Sequence, residues 1–197
     1  YRDETNLSML GAALGGLADK FNLKGEKIDE VMAGAVISHS RDFNLAREAT
    51  LDAGYSPNTP GTNIQIACGT SLQAALSLGA KIAVGEIDSG IAGGTDNVSD
   101  APVVLGTKLQ HRMIELSRAR TTGEKLKVFK GFSLGEVTPV APSTQEPRTG
   151  LSMGQHCELM AREWGISREA QDGLALRSHQ NASKAYEEGF HDDLVVP

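Results

Sequence analysis

Residues Val31 to Ile37 read Val-Met-Ala-Gly-Ala-Val-Ile, an unbroken apolar run without polar alternation. So short a run suits a strand buried on both faces, which requires helices packed on each side of a sheet. The neighbouring segments supply those helices. Leu7, Leu10, Leu14 and Leu17 recur at helical spacing between Thr5 and Lys20, with Thr5 or Asn6 as the N-cap and Gly25 in the loop beyond. Asn44 to Ala53 reads as a second helix, and Ser56-Pro-Asn-Thr-Pro-Gly61 as a turn leading into a strand over Thr62 to Ala67. A helix then runs from Cys68 to about Val84, and a third strand over Ile87 to Ala92 closes on Gly93-Gly94. This alternation predicts an α/β sheet with helices on its faces.

The pattern changes after Pro102. The stretch to about Gly150 carries Pro139, Pro142 and Pro147, which exclude one regular sheet or one long helix throughout, so it reads as an excursion from the sheet domain. Helical signals return at Ser152, with Gln155 three residues on as in a capping box and a helix over Met153 to Trp164 stopping at Gly165. Ser167 caps a further helix ending at Gly189, and Asp192 to Pro197 reads as a strand.

Cys68 stands where a β-prone run meets an alanine-rich helix. The unpaired N–H groups of a helix N-terminus favour a thiolate, which is the nucleophilic form of cysteine. By itself the residue reads equally as a small buried hydrophobe. Two cysteines are too few for a disulfide framework and fit a reducing compartment, and the five histidines show no paired ligand spacing, so no metal is expected. No apolar run approaches the ~18 residues of a spanning helix. The opening Tyr-Arg-Asp-Glu-Thr-Asn lacks the order of a secretory leader, and its abruptness reads as preceding sequence being absent.

A formal charge of −6 argues against nucleic acid as a partner. Within it, Lys108 to Lys130 holds seven basic residues against two acidic ones, a local +5. Leu105, Leu109, Met113 and Leu116 recur there at helical spacing and leave the charges, Arg112 among them, for the opposite face. Such an island is either a solvated face or a contact for a nucleotide phosphate, an acidic partner subunit or an anionic membrane.

Several segments together resemble the thiolases. Asn63-Ile-Gln-Ile-Ala-Cys68 with Leu72-Gln-Ala-Ala is similar to the family's nucleophile segment, and Ala92-Gly-Gly-Thr-Asp-Asn-Val-Ser99 with Pro102 to its Gly-Gly strand end. Ser152-Met-Gly154, Ile166 to Asp172, Ala175 to Gln180 and Phe190 to Pro197 resemble its loop-domain helices and their exit. Asn44 to Ala49 and the basic helix Lys108 to Arg120 are most similar to the β-subunit thiolases of the trifunctional fatty-acid β-oxidation complex. Ser152 agrees, since short-chain thiolases commonly place a histidine before that Met-Gly. One departure is Thr70-Ser71, where the family has Ser-Gly.

The resemblance implies a layered αβα sheet domain, incomplete for want of its first strand, over residues 1–103. It implies a mainly helical loop domain with a basic segment over 104–190 and a return strand over 191–197. It implies a 3-ketoacyl-coenzyme A thiolase with Cys68 as covalent acyl carrier and Met153 and Gly154 beside the substrate. Coenzyme A would be co-substrate, and no cofactor would be held permanently. The same resemblance implies a homodimer or tetramer, a β-oxidation α-subunit partner, peripheral membrane contact, and a cytoplasmic or mitochondrial-matrix location. Reversed flux, forming acetoacetyl-coenzyme A, and a non-catalytic lipid-binding or assembly module are the alternatives. The family's Gly-His-Pro base and its second cysteine before a glycine run are both missing. The 197 residues alone are therefore expected to be inactive.

Overall fold

The computed structural model describes residues 1–196. The first helix, α1, spans Asn6–Phe21. Thr5 is its N-cap, in a capping box with Ser8, and Asn22 closes it at φ 55° in the left-handed region that asparagine tolerates. There follow β1 (Glu30–Gly34), α2 (Leu45–Asp52), β2 (Gly61–Asn63), α3 (Thr70–Ala83) and β3 (Gly90–Gly94). The three strands make one parallel sheet in the order β2-β1-β3, with Val31 opposite both Gly61 and Ile91.

Central β1 is buried at every position, as its unbroken apolar run requires. Because side chains alternate along a strand, Val31, Ala33 and Ala35 meet Leu10, Leu14, Ala18, Leu45, Ala46 and Ala49 of α1 and α2 on one face. Met32 meets Ala74 and Leu78 of α3 on the other. Full burial of each leucine contributes about 1.5–3 kcal/mol, so Leu10, Leu14, Leu45 and Leu78 hold this three-layer arrangement together.

The face that carries Met32 also buries Glu30, which accepts a hydrogen bond from Thr62 Oγ1 at 2.6 Å and from Lys81 Nζ at 2.7 Å. Burial raises the pKa of this carboxyl, but the hydrogen bonds from Lys81 and Thr62 outweigh it and hold the group below the usual carboxylate range. A depressed carboxyl stabilises the fold above its unfolded pKa and loses that contribution as pH falls through the folded value. Lys81→Met strands Glu30 and is expected to cost about 2 kcal/mol at neutral pH, a figure reduced for the partly exposed lysine. Urea denaturation below about pH 4, where carboxyls protonate, should show the gap from the parent chain shrinking. A gap that persists there would remove the ion pair as its cause.

Two strands differ from expectation. The second ends at Asn63, although Ile64 N still donates to Ala33 O at 3.1 Å, because the chain then leaves the sheet and crosses the end of β1. The third starts later than expected. Asp29 Oδ2 accepts the N–H groups of Asp88 and Ser89 at 3.0 and 3.1 Å, which holds those two residues in a turn; the same bonds keep the Asp29 carboxyl below its ordinary range.

The chain divides into two compact units, residues 101–143 and the remainder. The smaller unit holds α4 (Thr107–Arg118) and α5 (Thr122–Val128), the latter opened by a Thr121/Glu124 capping box not anticipated from the sequence. Arg112 is the internal strut of this unit. Its Nε donates to Glu136 Oε2 at 2.7 Å, a second nitrogen donates to Val128 O, and its guanidinium lies 6.0 Å from the Phe132 ring centre. The expectation that Arg112 belongs to the solvated charged face is therefore corrected: it shares the inner side of α4 with the half-buried Leu109 and Leu116.

In the larger unit, α6 (Met153–Glu163) has the anticipated Ser152/Gln155 capping box, and α7 (Arg168–Glu187) is capped by Ser167. No residue of α7 is buried. Residues 191–194 form turns in place of the expected return strand, and Pro197 lies outside the described residues. A strand needs an edge to pair with; this tail instead lies on α1, where Lys20 Nζ donates to Asp193 O at 2.9 Å and Val196 closes on Gly16. No helix is long and apolar enough to cross a membrane among the described residues.

Candidate active site

Parallel strands deliver their C-terminal ends to one edge of the sheet, the edge at which open α/β sheets bind ligands. Beyond β2 the chain turns sharply at Ala67, whose φ of 47° is left-handed for a residue with a Cβ, and presents Cys68. A non-glycine residue held there costs on the order of 1–2 kcal/mol and persists only under outside constraint. Thr70 supplies the constraint. Its hydroxyl accepts the N–H of Ile66 at 3.1 Å and donates to Ala67 O at 2.7 Å. The departure at Thr70 thus clamps the turn behind the thiol. Gly69 is the N-cap of α3 and offers no capping side chain, and Cys68, which is exposed, immediately precedes it in the chain.

Two glycines let this turn sit where it does. A Cβ on Gly34, at the end of β1, would lie 1.7 Å from Ile64 O and 2.9 Å from Thr70 Cγ2. A Cβ on Gly94 would lie 2.8 Å from Gly34 O and 2.9 Å from Ser71 Oγ. The Gly-Gly strand end therefore admits the start of α3 against β3.

Behind the turn, Asp96 accepts the N–H groups of Val36 and Ile37 at 3.1 and 2.7 Å, tying the loop after β1 to the loop after β3. Asn6 and Asn97 form a buried amide bridge: Asn97 N donates to Asn6 Oδ1 at 2.7 Å, and Asn6 Nδ2 to Ile37 O at 2.7 Å. Alternation analysis cannot find such residues, because each partner is remote in sequence. His39 Nε2 bonds Asp100 O, and Arg41 pairs with the Asp100 carboxylate. The adjoining cavity of about 370 Å³ is lined by Asn6, His39, Asp42, Asn63 and Gln65 among others.

The remaining expected site residues stand apart from Cys68 along the chain. Met153 opens α6 and is 65% exposed, and a Cβ on Gly154 would lie 3.9 Å from Ser152 Oγ. Gly154 lines a cavity with Ser152, Gln155 and Arg162 that does not include Cys68. His156 Nε2 lies 3.0 Å from Thr149 Oγ1, and Cys157 is exposed. Among the described residues, no group of three His, Cys, Asp or Glu side chains could hold a metal ion.

Residues 1–197 match the family model described as thiolase, N-terminal domain. The chain is 39% identical over 181 residues to the 3-ketoacyl-CoA thiolases of Yersinia pestis (strain Pestoides F) and Yersinia pseudotuberculosis serotype O:1b (strain IP 31758). That stretch is 91% of this chain and 42% of each relative. The crystal structure of the Bacillus anthracis acetyl-CoA acetyltransferase superposes with a TM-score of 0.76 at 28% identity, covering 100% of this chain and 45% of that one. The chain thus spans less than half the length of these relatives.

Proposed function

Because this chain belongs to the thiolase family, as its N-terminal domain, we propose that it supplies the nucleophilic half of a 3-ketoacyl-coenzyme A thiolase. The observation that carries this reading is the Cys68 turn: an exposed thiol at the start of α3, behind a left-handed residue clamped by Thr70. In the proposed reaction the Cys68 thiolate attacks the 3-keto carbon of the acyl chain. The bond between C2 and C3 then breaks, its electrons pass to C2, and C2 takes a proton to leave as acetyl-coenzyme A. The thiolate of a second coenzyme A attacks the acyl-Cys68 thioester, releases a shortened acyl-coenzyme A and returns the sulfur to Cys68. The family's Gly-His-Pro base and its second cysteine before a glycine run do not occur in these 197 residues. Both would come from the portion that the longer relatives carry.

Names of relatives at 39% identity favour the degradative direction. The structural likeness to an acetyl-CoA acetyltransferase supports the biosynthetic reading, and dependence of rate on acyl length separates the two. The dimer or tetramer, the α-subunit partner and the cytoplasmic or mitochondrial location rest on the resemblance to β-subunit thiolases.

Iodoacetamide labelling followed by peptide mass spectrometry tests the site. Both thiols are exposed, so accessibility alone predicts similar rates, whereas a built nucleophile predicts faster labelling of Cys68. The same 197-residue preparation should show no turnover of 3-ketoacyl-coenzyme A, because losing each acid or base costs about 10²–10⁴-fold. Equal labelling of Cys157, or thiolysis at an ordinary enzymatic rate, overturns the assignment.

A further inference from the structure

Ala67 and Cys68 are the central pair of a turn closed by Gly69 N, which donates to Ile66 O at 3.0 Å. A positive φ at the first central position is the preserve of glycine, asparagine and aspartate, because a Cβ crowds the backbone there. This chain puts alanine at that position, at φ 47°. Local sequence therefore pulls the turn toward another shape, and the shape it has depends on what holds it from outside. Among the described residues, Thr70 is the side chain that bonds it. Thr70 is buried, and its Cγ2 lies 2.9 Å from the place a Cβ on Gly34 would take, so its methyl rests over the end of β1 while its hydroxyl enters the turn. Branching at Cβ leaves a side chain seated in this way few choices of χ1.

We propose that Thr70 is a positioning residue for the nucleophile: its hydroxyl selects the left-handed turn and, through that turn, fixes where the Cys68 sulfur points. This rests on the reading of Cys68 as the nucleophile. The two bonds of the hydroxyl run in opposite senses, accepting from Ile66 N at 3.1 Å and donating to Ala67 O at 2.7 Å. Only a group that both donates and accepts can make the pair. Valine has the shape of threonine and neither bond, whereas serine has both bonds and lacks the methyl over Gly34. The strain at Ala67 and the hydroxyl of Thr70 are therefore two halves of one device, and relieving the first should make the second dispensable.

The 197-residue chain carries its own internal standard, because Cys157 is exposed on α6 and lies outside the turn. The quantity to measure is the ratio of iodoacetamide labelling rates, Cys68 over Cys157, in native buffer. Losing one hydrogen bond of this kind shifts an equilibrium by about fivefold, and the rate follows the fraction of chains in the reactive turn. With both bonds gone, Thr70→Val should lower the ratio about tenfold or more, while Thr70→Ser should stay within about threefold of the parent chain. Ala67→Gly introduced into the Thr70→Val chain should restore the ratio, since glycine adopts φ 47° without a clamp. A purely packing role for Thr70 gives no such recovery. If circular dichroism finds Thr70→Val unfolded, Thr70→Ala takes its place, removing the same hydroxyl without bringing in a second methyl. A parent ratio near one removes the nucleophile reading itself. A parent ratio well above one that survives loss of the hydroxyl, or a loss of reactivity that Ala67→Gly does not repair, overturns the proposal and leaves that reading standing.

Discussion

Replacing Cys68 by Ala in a thiolase of the relatives' full length should lower thiolysis by about 10⁴–10⁶-fold while leaving the fold intact, since loss of a covalent nucleophile removes the route itself. Cys68 is exposed, so its truncation should move the urea midpoint by no more than an ordinary surface change, roughly 0.5 kcal/mol. The two halves of this expectation separate a chemical role from a structural one. Mass spectrometry after mixing with 3-ketoacyl-coenzyme A should find the acyl group on Cys68 in the parent enzyme and nowhere in the variant. An acylated variant would place the covalent step on another residue.

Gly34→Ala should have the largest effect on stability of any methyl addition in the sheet. The new carbon would lie 1.7 Å from Ile64 O and 2.9 Å from Ile64 C, both backbone atoms, so no side-chain rotation relieves it. Either the strand end or the segment leading to Cys68 must shift, at a cost of about 3 kcal/mol or more. Gly79→Ala is the control: it lies inside α3 with nothing within 4 Å of the added carbon, and it should stabilise the chain by about 0.5–1 kcal/mol. Denaturant midpoints of the two variants decide the matter. If both move in the same direction, the chain does not pass over Gly34 as described.

What the sequence made legible was local. Ser152 with Gln155, Ser167 before Arg168 and the leucine stripe of α1 each carry their instruction within a few residues, and the helices they predict are present. Thiol and helix start are adjacent in the chain, so Cys68 could be singled out at once. What stayed hidden depended on partners far away. Asn6 looked like an N-cap, but it is a buried amide because Asn97 arrives in the loop after β3, 91 residues on. Arg112 looked solvated, because an apolar stripe shows where leucines go and not that Glu136 returns, 24 residues later, to pair with an arginine beside them. The left-handed turn at Ala67 has no signature in composition, since alanine is an unfavoured choice there; it follows from Thr70 and from the space above Gly34.

The bond between Asn97 N and Asn6 Oδ1 closes a loop of 91 residues, and that span sets an order of events during synthesis. A ribosome adding about 5–20 residues per second makes Asn6 roughly 5–18 s before Asn97 exists to meet it. Over that interval α1 can coil and can cover β1 together with α2, whose residues are made soon after, but the amide of Asn6 faces water. The bridge is therefore late among the contacts of the sheet, closing only once β3 has been added alongside β1. A nascent chain halted before residue 97 should have its helical layer in place on one face of the sheet while the edge that presents Cys68 is still loose.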